Sequence, residues 1–210
     1  MTQSKTLRRW ELALLLGVAL AALLGVWLDG AQAALSDRMI RLHVLANSDS
    51  EADQALKLRV RDAVLAEAEE LFVPGAGRAE TEELLRAHLY DLAAAGAEVV
   101  GEAGYSYPVT ASLVHDYWFP PKTYTDFALP AGAYTALRIE IGAGGGQNWW
   151  CVVFPPLCLG SVSETTQETA LEAGLTENQV SLMTGEDEGY VVKFKAVELL
   201  EQFKGWLEGR

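Results

Sequence analysis

Cations are scarce in this chain. Its 210 residues hold 16 Lys and Arg against 29 Asp and Glu, for a formal net charge of −13. Such a surface repels nucleic-acid phosphates and disfavours adhesion to anionic lipid by charge alone. There are three histidines, His43, His88 and His115, with none of the short spacings that metal sites favour. No Gly-x-Ser-x-Gly elbow occurs, and neither cysteine has a neighbouring His to activate it. The Gly-rich stretch Gly142–Asn148 lacks the Gly-Lys-Ser/Thr of a phosphate cradle and reads as a flexible hairpin tip. No internal repeat is present. The sequence therefore points to no catalytic residue, no metal and no cofactor. Hydrophobic residues make up 50% of the chain, which excludes wholesale disorder and leaves room for one ordinary domain.

The N-terminus has what the rest lacks. Lys5, Arg8 and Arg9 precede an uncharged apolar run from Leu12 to Leu28, and Ala31 and Ala33 then offer small residues to a signal peptidase. At 17 residues the run is longer than the usual ~7–15 of a signal peptide and shorter than the ~20 of a comfortable span. A cleaved signal peptide and a retained signal anchor both fit. In either case the positive end stays inside and the chain beyond Ala34 is exported.

Along the exported part, Ile40, Leu42 and Val44 alternate with Arg41 and His43, the pattern of a half-buried strand. Asn47-Ser48-Asp49-Ser50 supplies turn and helix N-cap chemistry. Asp49, Glu51 and Asp53 there suit a helix N-terminus better than an acid/base pair. A helix is expected over Glu51–Phe72 and a second over Ala79–Val100, the latter carrying Leu84, Leu85, His88, Leu89 and Leu92. Strands are expected over Tyr107–Phe119, Tyr134–Ile141 and Trp149–Phe154, the last two joined as a hairpin through the Gly-rich loop.

Between Ser161 and Gly189 the chain has no basic residue, and that stretch reads as a loosely ordered acidic connector. Ala196, Leu199, Leu200, Phe203, Trp206 and Leu207 then form the apolar face of a terminal helix. The organisation is residues 1–34 for export, 35–160 as core, 161–189 as connector and 190–210 as C-terminal amphipathic helix. The fold class is α+β: one domain, a mostly antiparallel sheet and two long helices on one face.

Cys151 and Cys158 suit an exported chain, where a disulfide persists. Closing that short loop contributes roughly 2.5 kcal/mol in the chain-entropy model. Two buried thiols fit as well. Asn148, Trp149 and Trp150 gather aromatic surface beside a loop, in the manner of a protein interface. Adjacent Trp residues on a strand point to opposite faces, so one packs inward and the other either meets a partner or merely covers the core beneath the terminal helix, through Phe203 and Trp206.

Three segments together resemble the stage II sporulation protein R family. They are Ile40 to Ser50 with its continuation to Val64, then Phe119-Pro120-Pro121-Lys122-Thr123-Tyr124 with Pro130 to Tyr134, and Asn148 to Cys158. Val192 to Leu199 is similar to the family's ending, whereas the Glu-rich connector departs from its pattern. The resemblance implies a protein made in the forespore and exported toward the space between forespore and mother cell. There it would trigger a membrane-embedded aspartic protease, which cuts the precursor of sigma E. It implies a ligand that does no chemistry of its own. An extracytoplasmic hydrolase acting on cell wall or peptide is the competing class. It requires two of His43, His88, His115, Asp49 and Asp53 to meet in a cleft.

Overall fold

The computed structural model describes residues 9–73, 75–124, 127–157 and 165–184. Strand β1 (Ile40–Leu45) is central in a four-stranded sheet, between β5 (Gly132–Ile141) and β6 (Asn148–Phe154), with β2 (Val109–Phe119) outside β5. The β1–β5 ladder is parallel, while β1–β6 and β2–β5 are antiparallel, so the sheet is mixed. The expected β5–β6 hairpin does not form, because β1 lies between its two strands. Local signals at the glycine loop cannot reveal a partner about a hundred residues away.

Ile40, Leu42 and Val44 point into the larger core with Leu137, Ile139, Ile141 and Val153. Helices α2 (Glu51–Glu70), α3 (Arg78–Ala87) and α4 (Leu89–Glu102) cover this face, with Leu56, Val60, Val64, Leu85, Leu92 and Val100 turned inward. The second expected helix is thus two. His88 closes α3, with its N–H on the carbonyls of Leu84 and Leu85, and then opens α4. The apolar period runs through His88 unbroken, so packing rather than a local breaker sets the bend.

The opposite face is covered too, which corrects the half-buried reading of β1. Its six residues are all buried, Arg41 and His43 included. Here Leu35, Met39, Phe119, Tyr134 and Val152 form a second core. Phe127 and Leu129 of the short β3 (Lys122–Thr123) and β4 (Ala128–Leu129) region add to it. The stretch read as a loose connector contains two helices, α5 (Thr165–Glu172) and α6 (Glu177–Thr184). Ala170, Leu175, Val180 and Met183 seat them in this second core, while Glu168, Glu172 and Glu177 face water. The acidic composition marks their outer side rather than a lack of order.

Helix α1 (Arg9–Ser36) holds the apolar run. Leu12, Leu14, Leu16, Val18, Leu20 and Leu23 are exposed on it, whereas Leu35 in its last turn is 2% exposed in the second core. Gln179 donates to the Ala34 carbonyl at 3.1 Å and ties α1 to α6. Among the described residues, no helix is long and apolar enough to cross a membrane. The terminal helix expected over 190–210 lies outside the described residues.

Candidate interaction site

The turn after β1 organises one end of the sheet. Ser50 caps α2, its hydroxyl accepting from the Asp53 N–H at 3.1 Å, as the sequence predicts. The Asp53 side chain turns back into the turn, where Ser48 Oγ donates to it at 2.5 Å and Asn47 Nδ2 at 2.9 Å. These two donors, Ser48 first, hold the Asp53 carboxyl below its ordinary value. The acidic residues here are therefore structural.

The glycine-rich loop is not a flexible tip. It folds across the C-terminal end of β1 and bonds to this turn. Asn47 Oδ1 accepts from the Ala143 N–H at 3.0 Å, and Asp49 Oδ1 accepts from the Gln147 N–H at 2.8 Å. Backbone N–H groups of Gly145 and Gly146 donate to the carbonyls of Asn47 and Ala46. Gly142 has φ +60°, and a Cβ there would collide with Asn47 Oδ1; a Cβ on Gly146 would collide with the Ser48 carbonyl. Glycine is required at both for close approach. Lys57, buried on α2, donates to the Gln147 carbonyl at 2.9 Å and to Gln54 Oε1 at 2.6 Å, and burial lowers its pKa. Asn47 was placed in the turn but its hold on the glycine loop was not foreseen, and Gln54 and Lys57 were given no role in the sequence reading. The only signal for them was a run of amide and hydroxyl side chains at one strand end.

From this clamp the chain passes directly into Asn148, Trp149 and Trp150 at the start of β6. Asn148 is exposed, with Oδ1 2.7 Å from His43 Nε2. Trp149 and Trp150 are both half-buried and lie on opposite faces, as alternation requires. The Trp149 ring packs under the Arg61 guanidinium at 4.4 Å, on the helix side. Trp150 stands on the other side, 6.3 Å from the His43 ring and 6.4 Å from Phe119. Tyr117 completes the aromatic wall around His43 at 5.0 Å. Burial, the largest influence, lowers the His43 pKa, so the ring is neutral near pH 7. Cys151 is buried on β6; Cys158, and with it the expected bridge, lies outside the described residues.

Arg41 is the other buried ionisable group on this face, at 0% exposure. Its guanidinium lies 4.1 Å from the Phe119 ring centre and 5.1 Å from that of Tyr134, and one N–H reaches Tyr124 Oη at 2.9 Å. The sequence reading placed it on a solvated face and missed it.

The remaining histidines do not join these groups. His88 Nδ1 is 2.9 Å from Asp91 on the surface. His115 sits in the bulge of β2, where its Nε2 is 3.3 Å from buried Glu82 and its Nδ1 3.2 Å from Thr135 Oγ1. Arg78 and Arg86 both pair with Glu82, and Arg78 also donates to Thr135. This network fastens α3 to the sheet. His43, His88, His115, Asp49 and Asp53 thus have separate partners. Among the described residues, no group of three His, Cys, Asp or Glu is placed to hold a metal.

The family segments noted in the sequence meet at this sheet end and along its second face. A family model described as stage II sporulation protein R matches residues 36–164. The chain belongs to the stage II sporulation protein R family. Stage II sporulation protein R of Bacillus subtilis (strain 168) is 39% identical over 124 residues, which cover 59% of this chain and 55% of that protein. The chain thus aligns with little more than half the length of that relative. No solved structure matches it. For the stage II sporulation protein R family, the match places this chain in sporulation and includes the whole clamp, from Asn47 through Gln147 to Trp150.

Proposed function

We propose that this chain is an exported sporulation signal. It passes from the forespore into the space between the two membranes and activates a membrane-embedded aspartic protease of the mother cell. That protease then processes the sigma E precursor. The observation that carries this reading is the rigid clamp of turn and glycine loop, which presents Asn148 and the two indoles at the end of β6. A binding surface benefits from such preorganisation, because less conformational entropy is lost on docking. Half-buried Trp residues beside a fixed polar rim have the composition of an interface hot spot. The exposed apolar face of α1 supports the export step, with cleavage or anchoring both compatible with it. Family membership and the separate structural employment of the His and Asp residues favour a ligand over a hydrolase.

The test is direct binding. The purified full-length chain is expected to bind the detergent-solubilised protease saturably and to start precursor cleavage in a reconstituted mixture. Absence of binding, with both proteins folded, overturns the proposal.

A further inference from the structure

One face of the sheet carries a row of nitrogen atoms with nothing to bond. Among the described residues, Arg138 Nε, His43 Nδ1 and Trp150 Nε1 are buried and have no hydrogen-bond partner. The register sets Arg138 and Trp150 directly beside His43, one on each neighbouring strand. Ser112 lies beside Arg138 on β2, so Ser112, Arg138, His43 and Trp150 cross all four strands in line. Residues in register on adjacent strands share a face. Two positions earlier on β1, Arg41 adds two more unpartnered nitrogens, Nε and one terminal nitrogen. Arg41, Arg138 and Trp150 contribute donors to this row; His43 Nδ1 is an acceptor, because its neutral ring donates from Nε2 to Asn148 Oδ1. Buried polar atoms left unpaired are costly, and native proteins seldom concentrate them without a use.

Charge identifies what fits. Among the described residues, Arg41 and Arg138 face this region with one carboxylate, Glu140, which is 2.9 Å from Arg138. Among the described residues Arg41 has a hydroxyl and two aromatic rings as partners but no carboxylate. The face is therefore locally cationic on a chain whose net charge is −13. The side chain of Arg138 is 29% exposed, Glu140 is half-buried, and Thr110 and Asn148 at the same sheet end are exposed. The row itself is buried, so a group from outside would approach it from the end where the clamp holds Asn148 by parting these side chains, while Arg41 behind would supply field without contact.

We infer that this row receives the carboxylate of an acidic side chain from the partner polypeptide. The inference rests on the signalling reading for its partner but on the register and the unpartnered donors for its chemistry. A lipid phosphate is a poorer match, because the strongly acidic chain is repelled by an extended anionic surface. A single carboxylate on a short segment meets only the local charge. The donors Trp150 Nε1–H and Arg138 Nε–H would be satisfied in that complex, with Trp150 and Tyr117 packing against its aliphatic part.

The experiment uses the full chain in detergent micelles. It is titrated at constant ionic strength with the blocked tripeptides acetyl-Gly-Glu-Gly-amide and acetyl-Gly-Gln-Gly-amide. The readout is the indole N–H resonance of Trp150, assigned with Trp150→Phe. The Glu peptide is expected to shift that resonance saturably and the Gln peptide to leave it in place. Arg138→Gln should weaken the response by about tenfold or more, the usual scale for a charge-assisted bond. Arg138→Lys should restore part of it, and a dispersed amide spectrum shows each variant folded. Equal shifts from both peptides, or no shift from the Glu peptide in the wild-type chain, overturn the inference. A site filled by water alone gives the second result. Failure here is distinguishable from failure of the signalling reading: if the titration is silent but the chain still activates the protease, only the carboxylate site falls.

Discussion

Replacing Asn47 with Ala removes one of the side chains that join the two halves of the clamp. Asn47 Oδ1 accepts from the Ala143 N–H at 3.0 Å, and Nδ2 donates to Asp53 at 2.9 Å. The first loss removes one of the bonds that hold the glycine loop to the turn, leaving those of Asp49, Gly145 and Gly146; the second strips Asp53 of one of the donors that lower its pKa. One backbone hydrogen bond in a partly exposed setting is worth about 1 kcal/mol net, so the stability loss attached to the loop should be ~1–2 kcal/mol. Urea denaturation should show a lower midpoint with an unchanged slope, since the core is untouched. Hydrogen exchange should speed up at Ala143, Gly145 and Gly146 while the amides of Leu42 and Val44 stay protected. The Asp53 pKa, read by NMR, should rise toward its ordinary value of 3.8. An unchanged midpoint together with unchanged exchange in the loop would refute the claim that this side chain holds the platform.

Arg41→Met keeps the bulk of a wholly buried side chain and removes its charge, so thermal denaturation should show neutrality or a gain of up to ~1–4 kcal/mol. Arg41→Ala leaves a cavity under Phe119 and should cost ~2–5 kcal/mol; a Met variant as damaged as the Ala one contradicts the account. The folded pKa of His43 lies below its ordinary 6.5, so the unfolded chain takes up the proton first. Stability should therefore fall as pH drops below about 6.5 toward the folded pKa. His43→Gln should flatten that slope, and an identical slope in the variant assigns it elsewhere. Asp53 behaves as a depressed carboxyl: its contribution is present above about 3.8 and disappears as pH falls through the folded value. For the expected Cys151–Cys158 bridge, the unreduced exported chain should show no thiol to Ellman's reagent under denaturing conditions, and two titratable thiols would remove it.

Local chemistry was legible in the sequence where it acts over a few residues. The Ser50 cap, α2, the strands and the opposed Trp149 and Trp150 all follow from turn residues and periodicity. What was illegible depends on contacts far apart in the chain. The alternation of Arg41 and His43 with apolar residues looks the same whether the second face meets water or a core. Phe119, Tyr134 and the helices near residues 165–184 make it a core. The glycines of the loop read as freedom, because composition alone does not show that Asn47 and the Ser48 carbonyl occupy the space a Cβ would need. Likewise, no residue at 88 announces a break; α3 is turned by the contacts of Glu82 and Arg86 with His115 in the bulge of β2, and α4 by its packing on α2.

The central claim is that the end of β6 is the surface by which this chain signals. Trp150→Ala, introduced into sporulating cells, tests it when sigma E precursor processing is followed by immunoblot alongside the abundance of the exported variant. The account predicts a folded, abundant protein and loss of processing, because a Trp hot spot is typically worth ~2 kcal/mol or more in binding. Normal processing by an equally abundant Trp150→Ala variant would contradict it.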